Sequence, residues 1–133
     1  MKLEKITYSS LSDKQKEQYN YHKVSALLAD YGFAGIILAD DYKGADFLAV
    51  HKDGEILKVQ LKGRVTIDKK YQNKDIYIAF PIQSRWCFIA HDELMSLKEI
   101  SVWLKSNAWI VGGSYHSGSP SKALRLALEP YLL

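Results

Sequence analysis

From Ala45 to Leu61, apolar and polar residues alternate on both sides of Lys52-Asp53-Gly54, the period-two signature of two strands each burying one face. The pattern also selects the register of that hairpin. A two-residue turn at Asp53-Gly54 sets Asp46 against Leu61 and Phe47 against Gln60, mixing polar and apolar residues on each side. A three-residue loop with Gly54 in the left-handed region sets Ala45 against Leu61, Phe47 against Val59 and Ala49 against Leu57. Only the second register leaves one face fit for burial. On the opposite face it sets Asp46 against Gln60 and Gly44 against Lys62, with opposed Cβ atoms roughly 5 Å apart.

Other segments surround this hairpin in turn. Ser10 to Tyr31 predicts a helix capped by Ser12 or Ser10, with Val24, Leu27, Leu28 and Tyr31 at helical spacing and Gly32 just past its end. Glu17, Gln18 and His22 fall on its solvent side. Phe33 to Leu38 predicts a buried strand, and Asp40 to Gly44 a loop. From Arg64 to Asp75 the chain reads as polar and basic. Ile76 to Phe80 and Trp86 to Ala90 predict two further strands, the first ended by Pro81 and the two joined through Gln83-Ser84-Arg85. Cys87 is read as a small buried apolar residue. His91-Asp92 opens a short helix to about Lys98, with Leu94, Met95 and Leu97 inward. Ile100 to Ile110 is ambiguous and holds Trp103 and Trp109, and Gly112 to Gly118 reads as a flexible loop. Ser119 is read as the cap of a last helix with Pro120 in its first position and Ala123, Leu124, Ala127 and Leu128 on its apolar side.

This order of elements in 133 residues predicts one α/β domain over residues 1–133. Apolar residues make up 47% and charged residues 25%, ordinary for a chain that buries a core in water. No apolar run approaches the ~18 residues of a membrane span. The single cysteine excludes an internal disulfide and a cysteine-built zinc site, and the polar N-terminus has no apolar signal core, so a cytoplasmic location is expected.

Charge changes the picture by its distribution. Lys58, Lys62, Arg64, Lys69, Lys70 and Lys74 stand against Asp68 alone, a net +5 in a chain whose total is +3. A basic segment beside a polar cluster is the footprint of a polyanionic ligand. Asp46, Gln60 and Lys62 give that cluster its chemistry. Phosphodiester hydrolysis needs a metal to neutralise charge and activate water, and a cation near the developing charge. Mg²⁺ or Mn²⁺ suits oxygen donors, which the Asp46 carboxylate, the Gln60 amide and the Leu61 carbonyl supply, while Lys62 supplies the cation. Phosphate-loop, His-Glu-x-x-His and Gly-x-Ser-x-Gly patterns are absent, and the four histidines lack metal-ligand spacing.

Helix, strand, Gly44-Ala45-Asp46, turn and Val59-Gln60-Leu61-Lys62 together resemble the PD-(D/E)XK nuclease superfamily, with roughly residues 19 to 97 covered. Within it the chain is similar to the small intron-associated homing endonucleases, which also tend to read Val-Gln-x-Lys. Ala45 stands where the motif has proline, and Gln60 where it has an acid. The resemblance implies a restriction-endonuclease-like mixed sheet flanked by helices and metal-dependent DNA cleavage. It matches Asp46 to the metal-binding aspartate, Gln60 to the second metal position and Lys62 to the catalytic lysine, with Glu17 as the helix glutamate that completes some such sites. DNA contacts are then expected from Lys58, Arg64, Lys69, Lys70, Lys74 and Tyr115. A chain this short covers little DNA, so a homodimer or higher homo-oligomer is expected, with Trp103, Trp109, Leu132 and Leu133 at the interface. Gln60 removes a charge from the metal position, so a catalytically inactive nucleic-acid-binding or assembly module on the same fold is the alternative. A purely structural polar cluster is the third reading.

Overall fold

The computed structural model describes residues 1–133, apart from the side chain of Asp41. Helix α1 spans Asp13–Ala29 and begins at Ser12 through a capping box: Gln15 N–H donates to the Ser12 hydroxyl, and Ser12 N–H donates to the Gln15 side chain. The helix is thus shorter at both ends than its sequence pattern predicts, because the box fixes the start and the turn through Gly32, at φ +87°, follows the end.

Strands β1 (Phe33–Tyr42), β2 (Ala45–His51), β3 (Ile56–Leu61), β5 (Ile76–Ile82) and β6 (Arg85–Ala90) form one sheet in the order β1-β2-β3-β5-β6. Its pairs are antiparallel except β3 with β5, so the sheet is mixed. Flanked by helices, it has the expected restriction-endonuclease-like α/β architecture. The β2–β3 hairpin has the three-residue register: Phe47 pairs with Val59 and Ala49 with Leu57. Gly54 sits at φ +101°, and its loop is closed by His51 N–H to the Glu55 carbonyl at 2.7 Å.

Alternation divides the core between the two faces of the sheet. Phe47, Ala49, Val59 and Ala79 pack with Val24 and Leu28 of α1. Ile76, Ile78, Phe80 and Ile89 pack on the other face beneath a second layer. That layer contains a two-stranded antiparallel sheet of β4 (Val65–Asp68) and β7 (Ser114–Ser117), with α2 (His91–Ser96), α3 (Asn107–Ile110) and α4 (Lys122–Leu128).

Several expectations are corrected by this layer and its edges. The segment after Arg64 is not continuously polar: Val65 and Ile67 are buried in β4. The glycine-rich segment from Gly112 is not a loop throughout, because Ser114–Ser117 pairs with β4. β1 continues through Asp40 to Tyr42, so the β1–β2 connection is only Lys43-Gly44, at φ 51° and 87°, the pair of left-handed residues a tight hairpin turn needs. Pro81 does not end β5. It pairs with Trp86 beyond the last β3 partner, Ala79, where β5 has a ladder on one side only. Arg85 belongs to β6, leaving Gln83-Ser84 as the turn. α2 stops at Ser96 rather than Lys98. Ser121, not Ser119, caps α4, accepting from Leu124 N–H, so Pro120 precedes the helix. Trp103 and Trp109 are buried in the chain's own core, and Leu133 N–H donates to the Trp86 carbonyl at 2.9 Å along the β6 edge. Trp103 and Trp109 are therefore withdrawn from the expected oligomer interface, whereas Leu132 and Leu133 stay partly exposed. Among the described residues no helix is long and apolar enough to cross a membrane.

Candidate nucleic-acid interface

The hairpin delivers the polar residues to the end of β2 and β3, where the two strands cease to pair. Backbone pairing runs from Val50–Ile56 to Phe47–Val59. Beyond it β3 still leans on β5, with Lys62 N–H donating to the Ala79 carbonyl at 2.9 Å. Successive amides of a strand point to opposite sides, so the Leu61 N–H faces β2, and the Asp46 carboxylate takes it at 2.8 Å. A side chain thus replaces the next rung of the ladder and satisfies a part-buried donor.

Two clefts open here, each of about 900 Å³. One lies toward the second layer and is lined by Lys43, Lys58, Lys62, Lys70, Lys74, Tyr71, Asn73, Asp46, Gln60 and Asp75. The other lies toward α1 and is lined by Lys14, Lys16, Glu17, Tyr21, Asp40, Leu61, Asp46, Gln60 and Lys62, among others. Asp46, Gln60 and Lys62 are the residues common to both. Glu17, exposed on α1, shares the second cleft with them, as does Leu61.

The first cleft is strongly basic, with five lysines against two aspartates among the described residues. Tyr71 forms its floor. The ring is buried, and the Lys62 and Lys70 ammonium groups lie 5.3 and 5.2 Å from its centroid. The Lys58 ammonium donates to the Lys74 carbonyl, tying β3 to the segment that carries Lys74. Burial lowers the pKa of Lys62, and the nearby Lys70 lowers it further, against smaller opposing contributions from Asp68 and Asp46.

Not every expected contact residue converges. Lys69 donates to the Ile110 carbonyl at 3.2 Å and lies over the Trp109 ring, outside both clefts. Tyr115 packs on Trp103 with ring centroids 4.5 Å apart. Arg64 lines a separate pocket with Ser117 and Arg125. Sequence reasoning passed over Tyr71, Asn73, Lys43 and Asp75. Val65 and Ile67, alternating just upstream of Tyr71, were the signal that the basic segment folds back against the core.

No family model matches the chain, and no curated protein matches it. A solved structure described as that of a bacterial homing endonuclease, I-Ssp6803I, is similar over 91% of this chain and 95% of that one, with 13% sequence identity and a TM-score of 0.47.

Among the described residues no group of three or more His, Cys, Asp and Glu side chains is placed to hold a metal ion. The donors gathered at the strand ends are hard oxygens, the type Mg²⁺ takes, and Asp46 is the carboxylate the hairpin contributes to them. The set fits a divalent ion in chemical type. Its charge is low for holding one without a phosphate ligand.

Proposed function

We propose that this chain binds nucleic acid through the phosphate backbone, in the lysine-lined cleft beside Asp46, Gln60 and Lys62. The observation that carries this reading is the gathering of Lys43, Lys58, Lys62, Lys70 and Lys74 around one cleft, with the Tyr71 ring as its floor. Five cations facing one space repel each other, and a polyanion relieves that repulsion while releasing its counterions. Fluorescence anisotropy with labelled duplex DNA, single-stranded DNA and RNA in EDTA tests it. Salt-sensitive binding of at least one polymer without divalent metal is expected. Absence of binding to all three at low salt overturns it.

A second reading is favoured by Glu17 and Asp46 lining one cleft with Gln60 and Lys62. It is divalent-metal-dependent endonucleolytic hydrolysis of DNA. Asp46, Gln60 and the Leu61 carbonyl would hold Mg²⁺ or Mn²⁺, and Glu17 would add a second carboxylate from α1. The bound ion would supply charge neutralisation and a more acidic water. Lys62 would hold a positive charge against the scissile phosphate. Cleavage of a pooled DNA library with Mg²⁺ or Mn²⁺, lost in Asp46→Ala and Lys62→Ala, supports it. An intact library under both metals overturns it.

A further inference from the structure

The chain has three arginines, Arg64, Arg85 and Arg125, and every other cationic residue of the Lys/Arg type is lysine. All three line two adjoining pockets at the β5–β6 turn, which share Ile82, Gln83 and Arg125. They come from β6, from α4 and from the link between β3 and β4, so the fold gathers them from distant parts of the sequence. The smaller pocket, of about 220 Å³, sets Arg64 and Arg125 around Ser117, Gly118 and Ser119, and no carboxylate lines it among the described residues.

Glu129 lines the other pocket with Arg85 and Arg125, so the uncompensated charge is that of the smaller one. Among the described residues none of the three guanidinium groups forms an ion pair with a carboxylate. Arg85 donates to the Leu133 carbonyl at 3.2 Å, and Arg64 Nη1 lies 3.5 Å from His116 Nδ1, a polar contact without compensating charge. Arg125 is half-buried and held on α4 beside the buried Leu124 and Leu128, so its position is set by core packing. Guanidinium forks match phosphate oxygens two at a time, which lysine cannot do.

We infer that the Arg64–Arg125 pocket is a phosphate-binding subsite, separate from the lysine cleft. A phosphate there accepts hydrogen bonds from both guanidinium groups and from the hydroxyls of Ser117 and Ser119. Gly63 lines both this pocket and the cleft toward α1, and the space over its Cα is open. The Lys62-Gly63-Arg64 segment therefore leads from the polar cluster to the arginines. A nucleic-acid strand leaving the clefts meets the subsite with a further phosphate; that ligand assignment rests on the nucleic-acid reading, whereas the subsite does not. A free or terminal phosphate shares the same chemistry.

Two arms separate these sources. Labelled duplex DNA is titrated onto wild type, Arg125→Gln, Arg125→Lys and Arg64→Gln, with Lys74→Gln as a variant of the lysine cleft. Pyrophosphate is then added in thermal melts of the same proteins. With DNA as the ligand, Arg125→Gln and Arg64→Gln weaken binding on the order of tenfold and flatten the salt slope by about one, and Arg125→Lys recovers the slope more than the affinity. Arg64 is exposed, so its variant keeps the test open if Arg125→Gln fails to fold. Pyrophosphate that raises the melting temperature of wild type but not of Arg125→Gln or Arg64→Gln, without a matching DNA effect, establishes the subsite for a free phosphate. This holds even if wild type binds no DNA, in which case the nucleic-acid reading falls alone. Arginine variants that match wild type in both arms overturn the subsite. If Lys74→Gln still weakens DNA binding in that case, the nucleic-acid reading survives.

Discussion

The Asp46 carboxylate accepts the Leu61 backbone amide at 2.8 Å, one rung beyond the last backbone pair of the β2–β3 hairpin. This bond fixes the carboxylate at the point where the two clefts meet. It also gives Asp46 a structural duty separable from its charge.

Asp46→Ala and Asp46→Asn should therefore part company. Alanine strands the part-buried Leu61 amide and costs about 1–2 kcal/mol, whereas asparagine keeps an acceptor and costs less. Both remove a negative charge from a cleft lined by five lysines, so both should bind DNA more tightly than wild type in EDTA. Urea denaturation and anisotropy check the two effects. Weaker binding by Asp46→Asn in EDTA would contradict the assignment of its charge as opposing the ligand.

Lys62 should carry a cost in stability and a gain in binding. Its pKa is lowered first by burial and then by Lys70, so the folded state disfavours its proton. The ammonium is held less favourably in the folded chain than in the unfolded one, so Lys62→Met should be neutral or stabilising, by less than about 1 kcal/mol once solvent screening is allowed for. The same variant should weaken DNA binding. Thermal melts paired with anisotropy test both halves.

His91 predicts an acid-sensitive fold. The ring is fully buried, its Nε2 accepts Asp68 N–H at 3.0 Å, and Nδ1 lies 3.4 Å from the Asp92 carboxylate. Burial lowers its pKa from 6.5, outweighing the opposing contributions of Asp92 and Asp68. The unfolded chain then takes up the proton more readily than the folded one. This contribution to stability is complete above about pH 6.5 and is lost as pH falls from there through the folded pKa. Urea midpoints at pH 7.5 and 5.0 should drop more for wild type than for His91→Gln. Equal drops would remove His91 as the cause.

Gly54→Ala isolates the hairpin loop. At φ +101° with open space around its Cα, the only cost is backbone strain, about 1 kcal/mol. A melting temperature equal to that of wild type would show that the loop does not need the left-handed glycine.

The hairpin and its polar face were legible because their pattern is local. Phe47, Ala49, Leu57 and Val59 alternate within one turn of chain, and a slip of one residue would expose all of them. β4 and β7 were not legible, because each is four residues long and the pairing of Val65 with Ser117 joins distant segments. Asp40 in β1 and Pro81 in β5 hid strand ends for a related reason: β1 is an edge strand, and Pro81 lies past the last β3 rung, so neither position needs an apolar or donating residue. Of the basic residues, Lys58, Lys62, Lys70 and Lys74 meet in one cleft, while Lys69 and Arg64 go elsewhere. Sequence spacing carries no record of that division, since it depends on how β4 pairs with β7 and packs Val65, Ile67 and Tyr71 into the core.

DNA affinity as a function of salt in EDTA, for wild type and a Lys70→Gln/Lys74→Gln double variant, tests the lysine cleft most directly. Engagement of the lysines by duplex phosphates should give wild type a log–log slope of about −3 to −4.5, with the double variant shallower by about two. A slope near zero, the same slope in both proteins, or binding that appears only with Mg²⁺ would contradict a metal-free phosphate-backbone interface at this cleft.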